Sequence, residues 1–379
     1  MKKIALVSAI AIASISSAQA APKVYGKIFL STDYVSTDYD NKDKKDKDKD
    51  EDTFQLNSNS SRIGFRGDDT LNDDIDLVYQ LEYEINPDDE KGKQFTSRNT
   101  YLGLSNRQYG TLLAGRHDTP FKLSKGNVDV FTNNSGAGLS LDKIGPSYSN
   151  GVKDLSYNLG ETRANNVIAY KTPAIVGMPV TFMAAVSLSE TDEDGKVKLK
   201  DEVKEVKEVK LPDGTVLVKG VKAQPAVYSE KKIKDNGYSA MLAYDQNGMY
   251  LAAGYDSNVG NADSAWRIAG SIDLGKANMM NGMNGLVLGA LYQNADIYDV
   301  KDDAKTWLIS GKYKLPESKW AIKAQYANTD FGNNDATEIA VGGEYAFSKA
   351  AIGHIYAGQV DRDHYKDDTV IGAGLEYKF

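Results

Sequence analysis

The chain contains no cysteine, and beyond residue 20 it has no uninterrupted apolar run approaching 18 residues. A membrane-spanning helix needs about 20 consecutive apolar residues, so the sequence excludes a helical membrane protein. With 26% of its residues charged, the chain fits a membrane only in a structure whose alternate residues face water. The absence of cysteine also excludes disulfides, which is compatible with an exported bacterial protein that needs none.

Histidine is scarce, with three copies at His117, His354 and His364. They lack the spacing of metal ligands, and the chain has no Gly-x-Ser-x-Gly nucleophile motif. The segment Gly136-Ala-Gly138 lacks both the third glycine and the Lys-Ser/Thr pair of a phosphate-binding loop. We therefore predict no enzyme activity, no metal site and no cofactor.

Acidic residues outnumber basic ones by 53 to 45, which argues against nucleic acid as a partner. Residues 41–52 consist of Asn, Asp, Lys and Glu and cannot bury an apolar face, so they predict a mobile first external loop. The spacing of Asp46, Asp48 and Asp50 is similar to that of a calcium loop. Glu51 nevertheless occupies the position where such a loop needs glycine, which disfavours calcium binding.

The first 20 residues have the pattern of a removable signal peptide. Lys2 and Lys3 precede a short apolar run over residues 4–15, and the small-residue site Ala18-Gln19-Ala20 follows. A transmembrane anchor is the alternative, but about twelve apolar residues are too few for a helical span. Cleavage before Ala21 leaves a mature chain with ten excess negative charges.

The rest of the chain alternates apolar and polar residues between turn signals, as strands of a half-buried sheet do. The terminal segment is the clearest case, since Ile371, Leu375, Tyr377 and Phe379 share one face. The pattern predicts sixteen strands, at 23–34, 55–67, 74–86, 95–105, 109–117, 164–172, 179–188, 237–245, 248–256, 264–274, 285–294, 304–314, 319–328, 336–347, 351–361 and 369–379. An even number of antiparallel strands can close without unpaired edges. We predict an all-β fold, a 16-stranded antiparallel transmembrane β-barrel over residues 21–379.

Side-chain chemistry separates the two faces of the predicted barrel. Tyr and Trp recur at strand ends, which favours interfacial girdles over the core tyrosines of a soluble β-protein. An arginine on the lipid face costs about 2–4 kcal/mol near midplane, so the arginines of the first six strands should face the lumen, as should Lys27. These residues, Lys27, Arg62, Arg66, Arg98, Arg116 and Arg163, predict a basic wall; scattered vestibule charges are the alternative.

Small or polar residues also occur at positions that strand parity assigns to the outside of strands two, four and five. These are Asn59, Ser61, Asn99, Gly103, Thr111 and Gly115. Lipid gains little from them, whereas a packed protein contact tolerates them. They predict a homotrimer contact, while strands eleven to thirteen should face lipid with Leu286, Leu288, Trp307, Ile309, Trp320 and Ile322.

Two long connections interrupt the strand pattern. Residues 118–161 are too long for a turn, and structureless segments of this length are usually functional; folded inward, this third loop would narrow the lumen opposite the basic wall. Residues 189–235 contain an Asp213-Gly214 turn between β-branched runs, which predicts an external hairpin. A short amphipathic helix over 202–209 is the alternative.

Several motifs, in order along the chain, resemble the trimeric general porins of Gram-negative outer membranes, especially the neisserial and proteobacterial branch. They include Val24-Tyr-Gly-Lys27, Ser61-Arg-Ile-Gly-Phe-Arg-Gly67, Tyr79-Gln-Leu-Glu82, Ser97-Arg-Asn-Thr-Tyr-Leu-Gly-Leu104, Tyr109-Gly-Thr-Leu-Leu-Ala-Gly-Arg116, Asp118-Thr-Pro120 and Tyr377-Lys-Phe379. The resemblance implies a third loop that forms an eyelet facing a ladder of basic side chains. Lys27, Arg62, Arg98 and Arg163 match ladder positions, with Arg116 as a further candidate, and Asp129 and Asp142 are the proposed facing carboxylates.

The resemblance also implies partners and a location. We expect a homotrimer in the outer membrane, in contact with lipid and lipopolysaccharide, that passes ions and small hydrophilic solutes by diffusion. Tyr377 and Phe379 would form the signal that the barrel-assembly machinery reads. The alternatives are a channel specific for sugars or phosphate, which should show an aromatic track or a lysine cluster in the third loop, and a barrel adhesin or enzyme that works through residues 189–235.

Overall fold

The computed structural model describes residues 21–39, 51–88, 95–132, 134, 139, 147–148, 155–156, 160–173, 179–189, 196–200, 209–210, 216–218, 227–232, 236–260, 262–279, 284–298, 302–330, 332, 335–363 and 366–379. Several predictions fall partly or wholly outside these residues: the signal peptide at 1–20, the loop carboxylate Asp142, most of the acidic loop at 41–52, part of the third loop at 118–161, and the Asp213-Gly214 turn of the insertion at 189–235. The last two residues of the acidic loop, Glu51 and Asp52, belong to a strand instead.

The first half of the chain contains, among the described residues, one short helix and ten strands: β1 (Lys23–Tyr39), β2 (Glu51–Ser58), β3 (Arg62–Thr70), β4 (Ile75–Ile85), β5 (Phe95–Asn106), β6 (Gly110–Asp118), α1 (Pro120–Leu123), β7 (Ser147–Tyr148), β8 (Leu155–Ser156), β9 (Arg163–Lys171) and β10 (Val180–Ser187). Of these, β7 and β8 pair with each other outside the barrel sheet. The second half contains β11 (Lys196–Lys200), β12 (Val209–Lys210), β13 (Val216–Val218), β14 (Val227–Lys232), β15 (Gly237–Gln246), β16 (Met249–Val259), β17 (Ala262–Asp273), β18 (Leu286–Ile297), β19 (Ala304–Lys314), β20 (Trp320–Asp330), β21 (Asp335–Ala346), β22 (Ala351–Arg362) and β23 (Lys366–Lys378).

Seventeen of these strands form one antiparallel sheet that closes on itself. Both β2 and β3 pair with β1, at Leu30–Thr37 and Lys23–Lys27 respectively, so together they form one interrupted strand of the barrel. The last strand, β23, pairs with β1 from Lys27–Lys378 to Tyr39–Lys366 and completes the ring. With β2 and β3 counted as one strand, the seventeen strands form the predicted 16-stranded barrel. Each predicted strand overlaps an observed one.

Alternation along the strands separates an outer apolar face from a buried inner face. In β23 the outward residues Ile371, Leu375 and Tyr377 are exposed, whereas Val370 and Glu376, which have the opposite parity, are buried. The six predicted lipid-facing residues of β18, β19 and β20 lie on the outer face as well. Aromatic rings cluster at one rim, where Tyr345 contacts both Trp320 and Phe347, consistent with an interfacial girdle.

The parity assigned to the predicted trimer contact is wrong, because irregularities shift the alternation. Ser60 has a positive φ of 54° between β2 and β3, and register shifts occur between Leu81 and Tyr83 in the β4–β5 pair and between Gly115 and His117 in the β6–β9 pair. Asn59, Ser61 and Gly103 are buried, and Asn99, Thr111 and Gly115 are partly buried. The exposed outer residues of β5 and β6 are instead Leu102, Leu104 and Leu112.

The insertion between β10 and β15 contains paired strands. The pairs β11–β14 and β12–β13 are antiparallel, and β12 and β13 flank residues 211–215. This pairing agrees with the predicted hairpin strands, whereas the Asp213-Gly214 turn lies outside the described residues. Val209, the last residue of the alternative helix, lies in β12, and residues 202–208 of that helix fall outside the described part of the chain. None of the described helices combines the length and apolarity of a membrane span.

Candidate functional site

A cluster of charges lies on the lumenal side of β1, β3, β4 and β5. Lys27 is buried and stands directly opposite Arg62 in the β1–β3 pair. Arg62 has Nε 3.7 Å from a Glu82 oxygen, and Arg98 has Nε 2.8 Å from the other oxygen of the same carboxylate. The Tyr25 hydroxyl also donates a hydrogen bond to Glu82, at 3.0 Å. Three of the predicted basic residues therefore share one wall.

Two acidic residues of β4, Glu82 and Glu84, lie among the basic residues of this wall. Besides its contact with Glu82, Arg98 places Nη1 2.7 Å from Glu84. Both glutamates alternate with the outward residues Leu81 and Tyr83, so strand parity alone puts them inside the barrel. We call Lys27, Arg62, Glu82, Glu84 and Arg98 the wall cluster. Charges alternate from Arg62 through Glu82 and Arg98 to Glu84, and Lys27 adds a second cation opposite Arg62, so the cluster is not a purely basic ladder.

Arg163 binds at the base of the third loop. Its Nη2 lies 3.0 Å from Asp118 Oδ1, and Lys122 Nζ reaches the same oxygen at 3.0 Å. Asn99 links this group to the β5 wall, since it accepts a hydrogen bond from Arg163 Nε at 3.1 Å and donates one to Asp118 at 2.8 Å. Arg163 therefore fixes the junction where β6 leaves the barrel and β9 returns to it.

Two other predicted basic residues lie apart from the wall cluster. Arg66 is exposed, with its guanidinium 4.7 Å from the centre of the Tyr25 ring. Arg116 donates to the Ser97 carbonyl at 2.9 Å and to the exposed side chain of Asn165. It lies at the register shift between Gly115 and His117 in β6.

The third loop begins with a capped helical turn that runs onto the opposite inner wall. Thr119 Oγ1 accepts a hydrogen bond from the Lys122 amide at 3.1 Å, and Pro120 occupies the first helical position, both common ways to start a helix. Phe121 is fully buried, and its amide donates to Ser239 Oγ of β15 at 3.0 Å. The loop thus leaves β6 and packs against strands beyond β10.

A fully buried arginine of β17, Arg267, joins the two ends of this loop. Its Nη1 lies 3.1 Å from Glu161 Oε1 and donates to the Phe121 carbonyl at 3.4 Å, while its guanidinium stacks 4.4 Å from the centre of the Phe121 ring. Gln293 of β18 accepts two further hydrogen bonds, at 2.9 and 2.6 Å. One side chain therefore holds residues from the beginning and the end of the loop against the same wall.

Lys125 completes a buried ion cluster at this point. Its Nζ lies 2.7 Å from Glu161, 3.2 Å from Asp129 and 3.1 Å from Thr132 Oγ1. Burial alone would lower the pKa of Lys125, but Glu161 and Asp129 outweigh it and raise that pKa. Burial would raise the pKa of Glu161, but Lys125 and Arg267 outweigh it and hold that pKa below its usual value. Asp129 thus lies beside Lys125 and is buried in the loop, away from the wall cluster.

The next loop residues attach to β19 and β20. Gln325 accepts a hydrogen bond from the Val130 amide at 3.0 Å, and Lys323 donates to the Val130 carbonyl at 2.9 Å. Lys323 Nζ also lies 4.2 Å from the centre of the Phe131 ring. Phe131 and Leu139 pack with buried side chains of β21, β22 and β23. The described part of the loop therefore follows the inner wall from β15 to β23.

Arg267 and Lys323 were not among the site residues predicted from the sequence, although a usable signal was present. Arg267 lies between the outward residues Trp266 and Ile268, and Lys323 follows the outward residue Ile322. The argument that keeps arginine off the lipid face applies equally to these positions. Periodicity could place both side chains in the lumen, but it could not show that a loop covers them.

Comparison with known proteins agrees with this geometry. The sequence matches the Gram-negative porin family over residues 5–368. An outer membrane porin protein of Bordetella pertussis is 29% identical over 210 residues, which cover 51% of this chain and 50% of that protein. The match thus spans about half the length of that relative. The major outer membrane protein P.IB of Neisseria sicca is 24% identical over 324 residues, covering 83% of this chain and 82% of that protein.

Solved structures share the fold. The anion-selective porin of Comamonas acidovorans superposes with a TM-score of 0.65 at 18% identity, covering 95% of this chain and 99% of that one. OmpF of Salmonella typhi gives a TM-score of 0.58 at 16% identity, covering 94% of this chain and 97% of that one. The family match extends over nearly the whole barrel. The chain belongs to the Gram-negative porins, the β-barrel channels of the bacterial outer membrane.

Proposed function

We propose that this porin is a general diffusion channel, open to ions and small hydrophilic solutes and without catalytic activity. The observation that carries the proposal is the separation of two groups across the lumen. The wall cluster lies on β1 to β5, whereas the third loop is bound through Arg267, Lys323 and Gln325 to strands β17 and β20. Such an arrangement narrows the lumen and leaves a charged passage between the two groups.

In this proposal the inward-folded third loop sets the width of the passage and the wall cluster sets its charge. Water-filled passages lined by fixed charges discriminate ions by the residues at their narrowest ring. Arg62, Arg98 and Lys27 supply positive charge there, and Glu82 and Glu84 reduce it. We assign ion preference to this balance rather than to Asp129, whose carboxylate is engaged by Lys125.

The position of the third loop can be tested by crosslinking. A Cβ at position 254 would lie 3.1 Å from Ser124 Cβ, close to the 3.5–4.5 Å of a disulfide. Since the chain has no native cysteine, Ser124→Cys with Gly254→Cys should form one crosslink, whereas Ser124→Cys with Gly311→Cys, on the outer face of β19, should not. A folded barrel whose first pair stays reduced under oxidation would contradict the inward fold.

Permeation is tested on the purified protein in planar bilayers and in liposomes. We expect ohmic ion conductance and swelling rates that decline smoothly with the size of neutral sugars. A channel specific for one sugar or for phosphate would instead show saturation and block by that solute. A barrel that works as an adhesin would show no conductance.

We further propose that the channel is a homotrimer in contact with lipopolysaccharide, and that the barrel-assembly machinery inserts it. Outward apolar residues on β5 and β6, such as Leu102 and Leu112, offer a face for a second copy. At the closing seam, Phe379 exchanges backbone hydrogen bonds with Gly26 at 3.1 and 2.9 Å. This contact at the closing seam supports the proposed role of Phe379 in assembly.

A further inference from the structure

We infer that Arg267, which stands opposite Gly254 in the β16–β17 pair, is the positioning residue that fixes the aperture of this channel. The inference rests on the proposed channel function and assigns the width of the passage to residues outside the wall cluster. Arg267 would act through the third loop, which it holds, rather than through contact with the permeating solute.

The third loop must cross several strands of the barrel to reach Arg267. β17 is the fifth strand from β6 around the barrel, after β9, β10, β15 and β16. The neck of the loop is already closed by the pairing of β6 with β9, since the Thr119 amide donates to the Thr162 carbonyl at 3.2 Å. That closure would be equally compatible with a loop standing above the rim. Contacts to β17 are what carry Phe121 and Glu161 inward.

The guanidinium group of Arg267 suits it to hold both ends of the third loop. A planar guanidinium can bind several acceptors at fixed angles and stack on a ring at the same time, which an ammonium group cannot do equally well. Arg267 uses this geometry on the Phe121 carbonyl, Glu161 and Gln293, with the Phe121 ring against its face. Buried charges are strongly destabilising when one partner is removed. The loop ends are therefore held in a single position.

The inner wall of the barrel is shaped to accept the third loop. Three inward glycines leave room that a side chain would fill: a Cβ at Gly254 would lie 2.6 Å from Ser124 Oγ, one at Gly289 3.3 Å from Val128 Cα, and one at Gly358 2.6 Å from Leu139 Cδ2. These glycines belong to β16, β18 and β22, so the loop follows a fitted groove over a large part of the inner wall. The close approach of a second chain segment is a recognised reason for glycine within a strand.

The test compares single-channel conductance and sugar size limit among folded variants. We expect Arg267→Ala to raise conductance and to admit larger sugars, because the loop ends are released. Arg267→Lys should restore the wild-type values only in part, because an ammonium group cannot reproduce both the directed hydrogen bonds of the guanidinium and its stacking on the Phe121 ring. The matched control is Arg362→Ala, which removes another buried arginine whose ion-pair partner, Asp368 at 2.7 Å, lies at the β22–β23 rim; it should leave both readouts unchanged.

A second series keeps the inference testable if Arg267→Ala fails to fold. Gly358→Val and Gly254→Val should displace the loop from its groove and change conductance and size limit. Gly311→Val adds the same volume on the outer face of β19, where a Cβ would meet Leu288 Cδ2 at an ordinary 3.5 Å, and should change neither.

The outcomes separate this inference from the proposed function. Wild-type protein that conducts, with unchanged conductance and size limit in folded Arg267→Ala, would overturn the inference and leave the channel function standing; if Arg267→Ala does not fold, unchanged values in both inward glycine variants would overturn it. Wild-type protein without conductance would overturn the channel function itself. Equal effects of the inward and outward glycine variants would show that barrel distortion, and not the loop, sets the aperture.

Discussion

Arg98 lies between two carboxylates of the neighbouring strand, with Nε 2.8 Å from Glu82 and Nη1 2.7 Å from Glu84. Arg62 approaches Glu82 less closely, at 3.7 Å. The charge seen by a solute is therefore a local balance, and the two arginines do not contribute equally. Removing Arg98 leaves two carboxylates without their nearest cation, whereas removing Arg62 leaves Glu82 still paired with Arg98.

Ion selectivity should respond accordingly. We expect Arg98→Ala to shift the salt-gradient reversal potential toward cations more than Arg62→Ala does, and Glu82→Gln to shift it toward anions. An interaction change of about 1 kcal/mol in the passage corresponds to roughly a fivefold change in permeability ratio. The control neutralises Asp46, Asp48 and Asp50 together, which should have little effect if they lie beyond the screening length of about 8 Å. An equal shift from that control would contradict the assignment of the wall cluster.

The ion cluster at the loop ends should make the aperture resistant to moderate acid. The pKa of Glu161 is held below its usual value of 4.5, so its contribution to stability is present above that value and is lost as pH falls through the lowered pKa. The pKa of Lys125 is raised above its usual value of 10.5, so its contribution is present below that value and is lost only at higher pH. Conductance at fixed salt should be flat between about pH 5 and 10 and should rise in stronger acid.

Glu161→Gln is the matching control for this pH prediction. It should raise conductance at neutral pH and remove the acid-dependent rise, because the carboxylate that titrates is gone. A rise centred near neutral pH in the wild type would show that a group outside the loop-end cluster controls the aperture.

Deletion of Phe379 should reduce assembly. It removes two backbone hydrogen bonds with Gly26, each worth about 0.5–1.5 kcal/mol net, together with a ring that packs on the glycine. We expect a severalfold lower outer-membrane level and a lower heat-modifiable fraction, with Phe379→Tyr close to wild type. Normal levels of the deleted protein would show that neither the seam contact nor the terminal aromatic is needed.

Shortening residues 189–235 to a tight turn should leave a folded, conducting channel. The segment leaves β10 and returns to β15, and these strands pair with each other from Val180–Tyr244 to Ser187–Gly237 without it. Loop shortening of this kind changes closure entropy little. Heat-modifiable mobility and conductance are the measurements, and loss of either would show that the insertion supports the barrel.

Subunit contacts can be examined through the outer face of β5. We expect crosslinking in mild detergent to give trimers, and Leu102→Arg to dissociate them. Leu251→Arg on β16 is the control, because it places the same charge on a similarly exposed outer residue at a lipid-facing cost of about 2–4 kcal/mol. Monomers in the wild type would contradict the trimer, and equal dissociation by both variants would contradict the contact face.

Strand positions were predictable because one periodicity, imposed by lipid outside and water inside, operates along the whole barrel. The same reasoning assigned Lys27, Arg62 and Arg98 to the inner face, and in the structure Arg62 and Arg98 both approach Glu82. It failed for Asn59 and Gly103, since a break or register shift of one residue exchanges the two faces of a strand. Such irregularities are local backbone features with little sequence signal.

The loop contacts were beyond sequence reasoning for a different reason. Arg267 and Glu161 are distant in sequence, and whether they meet depends on the path of a loop across the lumen. Periodicity specifies which way a side chain points but not what lies in front of it. Asp129 was accordingly expected opposite the arginines, whereas the structure places it in the ion pair with Lys125.

The pairing of β1 with β23 has a consequence for the synthesis of this protein. Contacts such as that between Thr37 and Asp368 join residues 331 positions apart, so the sheet keeps two free edges until almost the whole chain has been made. Unpaired edges recruit other strands and lead to aggregation, and distant contacts form slowly. A nascent or truncated chain is therefore prone to aggregate for as long as β1 and β23 remain unpaired. Holdase chaperones in the periplasm should stay bound longest to variants that weaken this pairing.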